Sequence, residues 1–141
     1  ATDLLADTKL APELSNEAHY YRAKAYLDAG KTDGAMEDLK VLAKDTRNVY
    51  GAEAKYKVAQ IYFDGGQTDK AEQEVLNYIE VSTPHTYWLA RSFVLLADVY
   101  MKLGRNLDAK QYLLSLKQNY QADDDIAGMI ESRLEKLKTE N

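Results

Sequence analysis

Two histidines, a run of three aspartates and a glycine pair are the residues whose types come nearest to chemistry in this chain. His19 and His85 each offer imidazole nitrogens, but neither has a second histidine at metal-binding spacing. The chain has no cysteine, and no His-Glu-x-x-His pattern occurs, so both are read as structural histidines. Asp123-Asp124-Asp125 lacks the alternating acidic positions and central glycine of a calcium loop, and is explained as carboxylates placed at the positive end of a following helix. Gly65-Gly66 is not embedded in a phosphate-binding or dinucleotide-binding pattern, so it reads as a helix stop. A Ser/His/Asp triad has almost nothing to be built from, and the 23 Asp and Glu residues are explained as solvated helix faces. No set supplies nucleophile, base and charge-stabilising donor together; the expectation is no enzyme, no metal and no cofactor.

The elements that carry these residues repeat. Around the glycine pair the skeleton is Ala59, Tyr62, Gly66 and Ala71, and it recurs as Ala23, Tyr26, Gly30 and Ala35 and as Ala97, Tyr100, Gly104 and Ala109. The glycines lie 36 and 38 residues apart, spacing that fits two-helix repeats rather than heptads or β-repeats. With only 2 prolines and 7 glycines in 141 residues, and abundant Ala, Leu, Lys, Glu and Gln, the fold class is expected to be all-α.

Taken in order, residues 1–10 resemble the end of a later helix. They read either as the tail of a preceding repeat in a fragment of a longer protein, or as a native N-terminal helix packed in the same place. Pro12 is expected to interrupt the chain, with Ser15 capping a helix that runs to Ala29. Thr32, Thr68 and Asn106, each two residues after a glycine, are expected to cap the second helices, the first spanning roughly 33–46 and the others running to about Val81 and Tyr120. The intervening first helices are expected over 48–65 and, with Thr83 as cap and Pro84 at the first helical position, 84–103. Ile126, Met129, Ile130, Leu134 and Leu137 recur at three and four, marking an amphipathic C-terminal helix. The chain is thus a single domain of hairpins at 14–47, 48–83 and 84–121, closed by a capping helix within 122–141.

The alanines of the skeleton let the paired helices approach closely, and the tyrosines fill space near each turn. Leu39, Val75 and Leu113, followed by Leu42, Tyr78 and Leu116, are core positions on the second helices. Leu14, Tyr50 and Trp88, sixteen residues before the glycines, are expected to pack against neighbouring repeats.

This skeleton resembles the tetratricopeptide repeat, W-x2-L-G-x2-Y, then A-x3-F, then P. The glycine position of the signature is alanine in every copy, the tyrosine position is Tyr26, Tyr62 and Tyr100, and the phenylalanine position is Leu39, Val75 and Leu113. Departures fall at the tryptophan position (His19, Lys55, Phe93), at the leucine position (Arg22, Val58, Leu96) and at the proline position (Arg47, Thr83, Gln121). Arg22 and Lys55 therefore occupy packing positions, where a charged side chain must reach solvent along its stem or find a carboxylate, and the first is expected. The resemblance covers residues 14–120. It implies a right-handed α-α superhelix of about three hairpins plus the capping helix, and a non-enzymatic scaffold whose concave face binds a peptide or protein segment. A structural spacer or self-association module within a longer solenoid is the alternative.

On that face the family's contact positions fall on Tyr20, Lys24 and Leu27; Tyr56, Gln60 and Phe63; and Val94, Asp98 and Met101, an aromatic and apolar set suited to gripping a protein segment. Some of the tyrosines would equally serve by packing on one another. The Lys and Asn clamp with which chaperone-binding members hold a terminal carboxylate is replaced here by Tyr20, Lys24, Tyr56 and Gln60, which disfavours such tails. The net charge of −5 and the lack of basic runs argue against nucleic acid as partner, and no apolar stretch is long enough to cross a bilayer. The repeat length is similar to that of bacterial periplasmic and envelope-associated members, which tilts the expected location to the envelope over the cytoplasm.

Overall fold

A computed structural model describes residues 11–81 and 83–139. The expectation for residues 1–10 and the packing of the Leu14 side chain lie outside what is described. Among the described residues the regular elements are all helices: α1 Ala11–Asp28, α2 Thr32–Leu42, α3 Val49–Asp64, α4 Thr68–Glu80, α5 Thr86–Lys102, α6 Asn106–Asn119 and α7 Ile126–Thr139. This is the all-α array of hairpins that the repeat called for.

The turns inside the hairpins share one geometry. Gly30, Gly66 and Gly104 have φ of +75°, +81° and +78°, a left-handed conformation that only glycine adopts without a steric cost. The next amide in each case, from Lys31, Gln67 or Arg105, donates back to the carbonyl of Tyr26, Tyr62 or Tyr100 at 2.7, 2.8 and 2.7 Å. This six-to-one bond closes one helix and starts the next at once. It also corrects the cap assignment. Lys31, Gln67 and Arg105 occupy the cap positions without side-chain cap bonds, and Thr32, Thr68 and Asn106 are already the first helical residues.

Three other boundaries shift. Helix α1 is already formed at Ala11, the first described residue, so Pro12 does not interrupt the chain and Ser15, expected as a cap, lies inside the helix. Helix α2 stops at Leu42, earlier than expected, and residues 43–48 form turns that end at the Asn48 cap, whose side chain accepts from the Tyr50 amide at 2.8 Å. Helix α5 starts at Thr86 rather than at Pro84. Thr83 is used elsewhere: its hydroxyl donates to the Thr46 carbonyl at 2.7 Å and accepts from the His85 amide at 3.1 Å, tying this loop to the preceding one.

Within each hairpin the skeleton alanines meet as expected, all six being 0–1% exposed. The core positions Leu39, Val75, Leu113, Leu42, Tyr78 and Leu116 are likewise buried. The Tyr50 ring lies 4.7 Å from Tyr20, and Trp88 lies 5.7 Å from Tyr56, so the large residue sixteen before the glycine does pack on the preceding repeat. Of the charged residues at packing positions, Arg22 reaches solvent as expected and Lys55 does not. The Lys55 ammonium is held at 2.7 Å by Glu74 and at 2.6 Å by Asn77, since a nearly buried cation needs a partner. Arg22 stays exposed along its stem but also grips the buried Asp38 at 2.6 and 2.8 Å.

Asp38 gives a pH test. The Arg22 hydrogen bonds hold its carboxyl below the ordinary value of 3.8, against the opposing effect of burial and with help from His19, 2.7 Å away. A carboxyl depressed in the folded state contributes stability that is complete above the unfolded-state value and lost as pH falls through the folded-state value. Urea midpoints are therefore expected to drop on acidification below pH 4. Asp38→Asn should be less stable at pH 6 and show a flatter acid limb; parallel limbs would assign the loss to other carboxyls.

Candidate protein-binding face

The first helices α1, α3 and α5 pack side by side in succession, and α7 continues the row against α5. The second helices α2, α4 and α6 touch their own partner and the following first helix, but not one another. A layer whose members touch on one side and stand apart on the other curves toward the touching side, so the first helices line the inner, concave surface.

The nine expected contact residues divide there into three groups. Tyr20, Tyr56 and Asp98 are engaged in polar rungs that join each repeat to the next. The Tyr20 hydroxyl donates to both Glu53 carboxylate oxygens at 3.2 Å; burial, and then Glu53, push its pKa up to about 12. Arg91 Nη2 donates to the Tyr56 hydroxyl at 3.0 Å, Tyr56 to Gln60 at 2.8 Å, and Gln60 to Asp64 at 2.8 Å, a relay that also occupies Gln60. Arg133 of α7 makes a two-pronged contact with Asp98 at 2.7 and 2.9 Å. Val94 is 3% exposed and belongs to the core. The reading of the tyrosines as packing residues thus accounts for Tyr20 and Tyr56.

Lys24, Leu27, Phe63 and Met101 remain accessible, wholly or in part. Lys24 lies exposed, its ammonium 5.5 Å from the Tyr20 ring centre. Leu27 faces a cleft between the first two hairpins beside Met36, Ile61 and Tyr62. Phe63 and Met101 line a different cleft, between α3, α5 and α7. The structure therefore does not gather all nine residues into one site.

Glu53, Arg91 and Arg133, the rung partners, were not among the expected residues. Glu53 and Arg91 lie thirteen residues before their glycines, one helical turn beyond Tyr56 and Val94, so extending the stripe by three residues would have found them. Arg91 is enclosed by aromatic rings, 4.9 Å from the Tyr56 centre and 5.9 Å from both Tyr87 and Trp88, and it also donates to the Tyr87 hydroxyl at 3.0 Å. Burial opposes its charge, but these tyrosines outweigh it and raise its pKa.

The residues first weighed for chemistry have structural partners. His19 contacts Asp38, and His85 Nε2 donates to the Arg47 carbonyl at 3.0 Å. Asp124 accepts from the Ile126 amide at 2.9 Å, capping α7, and Asp125 accepts from the Tyr87 hydroxyl at 2.8 Å. No cluster of three metal-capable side chains occurs among the described residues, and no helix among them is long and apolar enough to cross a membrane.

Comparison with protein families gives two matches, both described as tetratricopeptide repeat: one family model covers residues 17–45 and a second covers residues 90–119. These are the first hairpin, α1 with α2, and the third, α5 with α6. No match to a curated protein or a solved structure reached significance. Tetratricopeptide repeats generally mediate protein–protein interactions, and proteins built from them are typically non-catalytic scaffolds. The two matched hairpins flank a middle one with the same skeleton and the same glycine turn, and on that footing the chain is a tetratricopeptide repeat protein.

Proposed function

We propose that this domain is a non-enzymatic scaffold that binds a protein segment on the concave face formed by α1, α3, α5 and α7. The observation that carries this reading is the division of the face. Its polar rungs are saturated, whereas Leu27, Phe63 and Met101 stay half-open along the turn-side edge of the inner helices. Half-open apolar side chains beside fixed polar groups are what a gripped segment needs for anchoring and orientation.

An unbiased displayed-peptide selection against the immobilised domain tests it. Selected peptides are expected to lose at least tenfold in affinity on Met101→Gln, and to be indifferent to Leu114→Ser on the outer surface. Binding that survives the first change and is lost with the second would refute the concave-face assignment. Tyr56 is not a useful probe, because at 6% exposure its removal would disturb the core. Self-association is the second reading, favoured by Leu107 at 70% and Leu114 at 44% exposure. Light scattering across a concentration series separates the two.

A further inference from the structure

We infer that the cleft between α3, α5 and α7 is selective for an acidic protein segment carrying an apolar side chain, supplied by a different protein. The inference rests on the concave-face reading above and narrows it to one end of the face and one class of ligand.

The cleft encloses about 590 Å³, with Phe63 and Met101 as its apolar lining. Its charged lining is Asp98, Lys102, Arg133 and Lys136, three cations against one carboxylate. Asp98 is fully engaged by Arg133, so that pair offers little net charge to a ligand. Lys102 and Lys136 are exposed and make no ion pair among the described residues. Each stands in the last turn of its helix, where the dipole favours a cation. That accounts for a lysine on each helix, but not for the convergence of two helices' lysines on one apolar cleft.

In a chain of net charge −5, this is a local excess of positive charge beside exposed apolar surface. An acidic segment arriving here meets two ammonium groups that no carboxylate among the described residues holds, while its apolar side chain covers Phe63 and Met101. A basic segment meets the same two charges unshielded, so complementarity selects between them. One half of the site comes from α7, so the capping helix is part of the binding surface as well as the end of the core.

Fluorescence anisotropy tests this with two labelled peptides, one with a central Leu-Leu pair flanked by Glu residues and the other with Lys in place of Glu. The acidic peptide is expected to bind at least tenfold tighter, to weaken as salt rises from 50 to 300 mM, and to lose at least tenfold on the double change Lys102→Glu and Lys136→Glu. Both lysines are exposed, and unchanged circular dichroism verifies the fold of the variant. Equal binding of the two peptides, no binding of the acidic one at millimolar concentration, or indifference to the double change overturns the inference. Peptides from the unbiased selection that need Met101 but carry no acidic residues would overturn it too, while leaving the concave-face reading intact. A second copy of this chain as the occupant, revealed by acidic-peptide-sensitive dimers in light scattering, would also overturn it.

Discussion

Gly51→Ala is expected to lower unfolding stability by about 3 kcal/mol, the upper end of ordinary overpacking costs, and the melting temperature by roughly 10 °C for a chain of this size. A β-carbon placed on Gly51 would collide with the Asp45 carbonyl oxygen and lie 2.6 Å from that of Leu42. Both obstacles are backbone, so no side chain can swing aside. The contact is also the joint at which the first hairpin meets the second: the start of α3 leans directly on the turns that follow α2. Gly128→Ala is the counterpart. Nothing lies within 4 Å of a β-carbon at that position in α7, so the substitution should stabilise by about 0.5–1 kcal/mol through helix propensity alone. Urea unfolding of both variants checks the pair; a stable Gly51→Ala would mean that the joint between α2 and α3 yields easily.

Leu113→Ala is expected to be the other large loss, about 3 kcal/mol within the range for emptied core sites. Leu113 is 1% exposed and packs in the cluster that joins the second and third hairpins to α7. Its neighbour Leu114 is 44% exposed, and Leu114→Ala should change stability by no more than about 0.5 kcal/mol. Chemical denaturation of the two single variants is decisive, since composition and helix propensity change identically. Equal losses would show that helix propensity, rather than the cavity, sets the cost.

The contrast between Leu113 and Leu114 is legible in the sequence alone, because three copies of one skeleton fix the rotation of every helix. The glycine turns, the alanine contacts and the core leucines all follow from that phase. Cap assignment fails for a local reason: the amides of Lys31, Gln67 and Arg105 are consumed by the preceding helix's carbonyls, so each new helix begins one residue before its Thr or Asn would cap it. Lys55 defies its expected exposure because its partners, Glu74 and Asn77, lie 19 and 22 residues away on the facing helix. The candidate site is legible as a face but not as a state. Sequence phase identifies Tyr20, Tyr56 and Asp98 as inward-facing. It cannot say that Glu53, Arg91 and Arg133, 33 to 35 residues further on, have already claimed them. Gly51 likewise looks like any glycine inside a helix, because the carbonyls that forbid a side chain belong to the last residue of α2 and to the irregular turn after it.

The succession of touching first helices also bears on how the chain acquires its structure. Among the described residues each helix contacts only helices one or two places along the chain, and even the widely spaced hydrogen bonds, from His85 to Arg47 and from Tyr87 to Asp125, close loops of 38 residues. Loop-closure entropy grows only slowly with such lengths, and a topology this local has a low contact order. A nascent chain need not wait for its last residue: a hairpin can form once both its helices have emerged, and each new one is templated by the hairpin before it.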